Sequence, residues 1–335
     1  MKKFFRLIGF LSLVFITLFS LNKFVFVEKT YYTAYNGFYK QKENSLDLVT
    51  IGNSTIRRGV NPCEIWENCN VTSYNICASP THLEVILIAI EEIARTQTPT
   101  VMYIDINGLA FQKESERKSF VKNYISNMPN DLRKNELKAR YKEFYLTDES
   151  EEKDNKIDLF SNHNEYRNPD FWYTNTKLQS YLNGYVPLTN CKKQKGLEAD
   201  PTKTLPLSKD AETYLHKILE LCNQYPQINF VFGKMPRVLT KDNIYETYTL
   251  RTAKPIIESY GYEYVDWNDY FDEIKLDRKK DFSDDCHLNN YGAKKFSNFY
   301  IEYLDAKYNI SGKTHDEDVV INFDYSAKIY KEYFE

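Results

Sequence analysis

Three residues of this chain could together activate a hydroxyl for attack on an ester carbonyl. Ser54 ends the short run DLVTIGNS, and Asp284 and His287 stand three apart in Asp284-Asp285-Cys286-His287. A serine hydroxyl is a poor nucleophile until a base removes its proton. Imidazole titrates near neutral pH and can be that base. A carboxylate on its other ring nitrogen fixes the tautomer and stabilises the imidazolium. A spacing of three lets one tight turn present Asp284 and His287 together, with Asp285 as competitor for the carboxylate. Taken singly, Ser54 is better read as a helix N-cap, and His287 as an N-cap or loop histidine.

Residues so distant in sequence meet only if a sheet gathers them. Strand patterns run over Asp47–Gly52, Val71–Ile76, Thr100–Ile106, Ile228–Gly233 and Tyr262–Trp267. Helices are expected over Thr81–Arg95, Lys209–Tyr225, Ile244–Tyr260 and Leu288–Tyr308, the last with Ala293, Phe296, Phe299, Tyr300 and Tyr303 on one stripe. Strands alternating with helices predict an α/β fold whose parallel sheet is covered on both faces. Sites in such sheets form at the carboxyl ends of strands. There the chain places Gly52-Asn53-Ser54, Cys77-Ala78-Ser79, Asn107-Gly108, Pro236-Arg237 and Asp284–His287. Backbone N–H groups at Ser54 and near Ala78 and Ser79, with the Asn107 side chain, could form an oxyanion hole. Arg57 and Arg58 could hold an anionic polymer, or be plain surface charge.

The flanks carry other signals. Lys2, Lys3 and Arg6 precede an apolar run, Leu7 to Leu21, followed after Asn22 and Lys23 by Phe24 to Val27. As a helix, residues 7 to 27 would reach about 30 Å, enough to cross a bilayer with the N-terminus in the cytoplasm. No small-residue cleavage site follows Leu21, so an uncleaved membrane anchor is expected, with secretion after signal-peptide cleavage as the alternative. The expected organisation is a tip and anchor to residue 27, a linker over 28–45, a main domain over 46–310 and a tail over 311–335. Gln112 to Pro206 breaks the α/β rhythm, charged at first and then aromatic, and reads as a partly helical insertion. Trp172 and Tyr173 within it are candidate substrate contacts.

Composition excludes several classes. A net charge of -3 with no long basic block gives no nucleic-acid surface. The 42% hydrophobic content allows a sizeable core. Six cysteines outside the cytoplasm would permit disulfides of undetermined connectivity. No CxxC is present and His163, His216 and His315 lack partners at metal spacing, so neither metal nor cofactor is expected.

These blocks resemble the SGNH/GDSL hydrolase superfamily. Its first block, a strand ending in Gly-Asp-Ser, is similar to Ile51-Gly52-Asn53-Ser54 with Asn in place of Asp. Its last block, Asp-x-x-His leading into a helix, is similar to Asp284–His287, and HLNNYGAKKFS (287–297) looks like its usual continuation. The second block lacks its glycine in NICASP, and the third, usually Gly-x-Asn-Asp, reads IDINGL and leaves only Asn107. The resemblance spans about residues 46 to 308 without the insertion. It implies a flavodoxin-like three-layer α/β/α fold with about five parallel strands, and a Ser-His-Asp esterase or O-acyltransferase. With the anchor, the chain looks most like members that modify cell-envelope polymers, such as the teichoic acid D-alanine transfer and alginate O-acetylation proteins. That implies a cell-envelope glycan or acylated polymer as substrate and a membrane-bound O-acyltransferase as partner. The alternative is a non-catalytic glycan-binding or polysaccharide assembly protein on a degenerate version of the fold.

Overall fold

The computed structural model describes residues 2–24, 35, 37–77, 82–126, 128, 131–146 and 181–334. Its centre is a sheet of five strands: β1 (Leu48–Gly52), β2 (Ser73–Cys77), β3 (Val101–Asp105), β4 (Asn229–Lys234) and β5 (Glu263–Asp266). All neighbours run parallel, in the order β2-β1-β3-β4-β5. Every residue of β1, β2 and β3 is buried. That explains why these segments read as continuous apolar runs and not as alternating ones, since helices cover both faces of a parallel sheet. The five strands and the four helices expected between them all form, with ends within two or three residues of expectation.

The α-helices among the described residues are α1 (Lys2–Phe24), α2 (Ser54–Gly59), α3 (Pro62–Cys69), α4 (Leu83–Thr96), α5 (Arg117–Ser126), α6 (Asp131–Arg140), α7 (Glu143–Leu146), α8 (Lys209–Cys222), α9 (Ile244–Ser259), α10 (Asn290–Tyr308) and α11 (Glu317–Phe334). Helix α4 packs against α8 and α5, whereas α3 packs against α10 and α11. The segment assigned to a C-terminal tail is thus part of the domain: α11 buries Val319, Phe323, Ala327 and Tyr330. The expected linker also contributes to the core, through Tyr35 and Phe38.

The strand order reverses between β1 and β3, which opens a crevice beyond their carboxyl ends. The latter part of the insertion runs along this rim as an extended strap. Asn75 N on edge strand β2 donates to Asn183 O at 2.9 Å, and Val186 N to Arg57 O at 2.9 Å. Asn290 N then donates to Leu188 O at 2.8 Å and Lys192 N to Phe282 O at 2.9 Å. The strap therefore shields a sheet edge and ties the last turn of α2 to the start of α10. Gly184 makes the first crossing possible: its φ is +86°, and a Cβ there would lie 2.1 Å from Asn75 O.

The expected transmembrane helix is not found. Among the described residues no helix is long and apolar enough to cross a membrane. The side chains of α1 are described over residues 3–18. Over that stretch Phe4, Phe5, Leu7, Phe10, Leu13 and Phe15 are all exposed. The six cysteines are free thiols.

Candidate active site

Strand β1 delivers Ser54 to the rim. The turn after it is tight because Gly52 has no side chain. A Cβ at Gly52 would sit 2.5 Å from Ile56 Cγ1 and 2.9 Å from Asp105 Cβ. Asn53 then caps α2, its Oδ1 accepting from Thr55 N at 2.9 Å. At the other end of the chain, Asn289 caps α10 by accepting from Gly292 N at 3.1 Å. The capping role open to Ser54 and His287 is thus filled by a neighbouring asparagine in each case, and the two side chains are left for one another.

They meet. His287 Nε2 lies 2.8 Å from Ser54 Oγ, and His287 Nδ1 lies 2.8 Å from Asp284 Oδ2. With Nδ1 protonated toward the carboxylate, Nε2 is free to accept from the serine hydroxyl. Asp284 Oδ1 accepts from Cys286 N and His287 N, both at 2.8 Å. The loop is closed behind them by an antiparallel bridge between Phe282 and Leu288 and by Ser283 N donating to His287 O at 2.9 Å. Burial works to raise the Asp284 pKa, but the hydrogen bond and charge of His287, with the two turn amides, hold it down at about 2. The carboxylate is therefore ionised throughout the range in which imidazole can act as a base.

Asp105 was not singled out by sequence reasoning, yet it connects the nucleophile turn to the next strand. It is fully buried at the end of β3, and Thr55 Oγ1 donates to its Oδ2 at 2.8 Å while Asn107 N donates to its Oδ1 at 2.7 Å. Burial raises its pKa against those two bonds. The available signal was an acid inside the otherwise apolar run VMYIDI. Asn107 itself is buried, and its Oδ1 has no hydrogen-bond partner among the described residues. Its backbone N–H is engaged by Asp105, so only its side-chain amide remains for an oxyanion.

Other expected residues fall differently. Ala78, Ser79, Trp172 and Tyr173 lie outside the described residues. Arg57 is only 8% exposed, so it is not plain surface charge. Its neighbour Arg58 is partly exposed and donates through Nη1 to Val186 O at 3.1 Å, on the strap. His82 caps α4, its Nδ1 accepting from Glu84 N at 3.0 Å, and burial pulls its pKa down to about 4. Asp284, Asp285 and Cys286 offer ligand atoms within 4.8 Å of one another. Both carboxylates there already accept hydrogen bonds, Asp284 from His287 and Asp285 from Asn243. A cavity of about 1250 Å³ between α3, α10 and α11 is lined by Trp66, Lys294 and Asp324 and contains none of the three site residues.

The Gly52 packing makes a prediction. Gly52→Ala forces Ile56 and Asp105 apart, displacing both the nucleophile helix and the Thr55–Asp105 bond. Overpacking of this kind costs about 1–3 kcal/mol. Denaturant unfolding should show that loss, and turnover by the folded fraction should fall as well. Unchanged stability and rate would mean the turn is looser than its contacts indicate.

No protein-family model matches the chain, and no curated protein matches it in sequence.

Proposed function

We propose that this protein is a serine-dependent acyl-transfer enzyme, an esterase or O-acyltransferase of SGNH/GDSL type that acts on a cell-envelope glycan or acylated polymer. One observation carries the reading: Ser54, His287 and Asp284 form a continuous hydrogen-bonded line at the carboxyl rim of a parallel sheet. The similarity of the blocks around Ser54 and His287 to that superfamily supports the same fold family, and the strand order is compatible with its flavodoxin-like architecture.

In this mechanism His287 takes the Ser54 proton as Oγ attacks the acyl carbonyl. Asp284 stabilises the imidazolium, and the Asn107 amide and the Ser54 N–H steady the developing oxyanion. His287 then returns the proton to the leaving oxygen, leaving an acyl-serine. A second substrate, a sugar hydroxyl or water, gives its proton to His287 and takes the acyl group, and His287 passes that proton to the departing Ser54 Oγ. No cofactor is needed. The exposed apolar residues of α1 favour a membrane-held protein close to a membrane-bound acyl donor or O-acyltransferase, and the basic residues at its start favour a domain outside the cytoplasm. Such tethering raises the effective concentration of a membrane-embedded donor.

A fluorophosphonate probe tests the reading. Labelling of the folded protein that Ser54→Ala removes is the expected result. With labelling in hand, acyl transfer from an aryl acetate to an oligosaccharide acceptor, followed by mass spectrometry, separates transferase from esterase. No labelling would sink the enzyme reading in favour of a glycan-binding or assembly protein.

A further inference from the structure

Asp285, next in the chain to Asp284, bonds to a different set of groups. Val238 N donates to its backbone oxygen at 2.9 Å. Asn243 Nδ2 donates to its Oδ2 at 3.0 Å and Thr240 Oγ1 to the same atom at 3.2 Å. Asn243 is buried and closes its own loop too, donating to Val238 O at 3.1 Å and accepting from Thr240 N at 2.9 Å.

This loop, which leaves β4, is fixed in turn to the sheet. Lys234 is fully buried, and its ammonium donates to Asn268 Oδ1 at 2.9 Å and to Asp266 Oδ1 at 3.2 Å. Asn268 accepts from Arg237 N at 3.3 Å and donates to Arg237 O at 2.7 Å. The buried Arg237 guanidinium pairs with Glu246 on α9. Breaking any one of these would leave a buried charge or amide uncompensated, so the loop holds a single geometry.

Asp284 has no such tie. Its bonds stay inside its own turn, to Cys286 N, His287 N and His287 Nδ1, and its side chain is 42% exposed. These local bonds shape the turn but do not set its position relative to Ser54, which stands on the sheet.

Resting on the catalytic reading above, we propose that Asn243, with Thr240, and Asp285 form a latch that positions the Asp284–His287 turn over Ser54. Asp285 is then a positioning residue that acts through its neighbours.

The test uses the full chain with three readouts. They are the rate constant of fluorophosphonate labelling, the downfield proton resonance of His287 Nδ1–H, and labelling in an Asp284→Asn background. A displacement of about 1 Å can cost about 100-fold in rate. Asn243→Ala should slow labelling by roughly 10- to 100-fold on that basis and lose the resonance to exchange. Thr240→Val should do the same to a lesser degree, and Thr240→Ser should restore wild-type behaviour. In the Asp284→Asn background Asn243→Ala should add less than about threefold, because residues acting as one unit are non-additive. Should Asn243→Ala fail to fold, Thr240→Val carries the comparison.

A folded Asn243→Ala protein with wild-type labelling and resonance overturns the latch. So does an equal slowing in both backgrounds, the mark of a merely structural role. If wild-type protein does not label at all, the catalytic reading fails, and the latch is decided by the resonance alone: its loss in Asn243→Ala upholds the latch and its persistence overturns it.

Discussion

Ser54→Ala lowers turnover of a soluble aryl acetate by about 10⁴-fold or more, and His287→Ala does the same. Neither change should unfold the domain. Ser54 is not the cap of α2, since Asn53 holds that position, and the Thr55–Asp105 bond survives the loss of the hydroxyl. The loop around His287 is closed through its backbone oxygen, which an alanine keeps. The double variant should be no worse than either single one, because a nucleophile without its base and a base without its nucleophile fail at the same step. Steady-state kinetics beside a thermal melt checks this. Residual activity within tenfold of wild type in the Ser54→Ala protein would assign the chemistry elsewhere.

Much of this arrangement is legible in the sequence for a physical reason. Central parallel strands are buried on both faces, so β1 and β3 appear as apolar runs, and the residues just after them must emerge at one rim. That places Ser54 and Asn107 together without any knowledge of contacts. The chemistry of Asp-x-x-His then supplies the base. Helices α2 and α3 were not legible: α2 has six residues and buries Thr55, Ile56, Arg57 and Gly59, so it has no polar face to give a period. The strap over residues 183–197 is held by backbone bonds to distant loops, and such bonds leave no side-chain pattern. Arg57 shows the opposite error, a charge read as exposed that tertiary packing buries. Asp285 was weighed only as a rival to Asp284, because one-residue spacing cannot say which carboxylate turns toward the imidazole. The structure decides it by geometry: Asp284 Oδ2 faces Nδ1, while Asp285 Oδ2 faces Asn243 and Thr240.

Asp284→Asn should therefore cost about 10⁴-fold in turnover, while Asp285→Asn, which keeps an acceptor oxygen for Asn243, should cost far less. The asparagine oxygen can still accept from Cys286 N and His287 N, so the turn keeps its shape. Its amide group then faces Nδ1, and two donors cannot share that contact. The imidazole answers by carrying its proton on Nε2, where it can no longer accept from Ser54 Oγ. The same substitution has a signature in acid stability. The folded Asp284 carboxyl titrates at about 2, below the ordinary value of about 3.9, so the unfolded chain binds its proton first. The stabilisation from this contact is complete above pH ~5 and is lost as pH falls through about 4 toward 2. The difference in denaturation midpoint between wild type and Asp284→Asn should accordingly shrink as pH falls between about 4 and 2. A half-exposed pair makes this a small effect, read as a change of slope with pH. A difference that stays constant down to pH ~2, or a kinetic penalty that falls on Asp285→Asn instead, would move the carboxylate role away from Asp284.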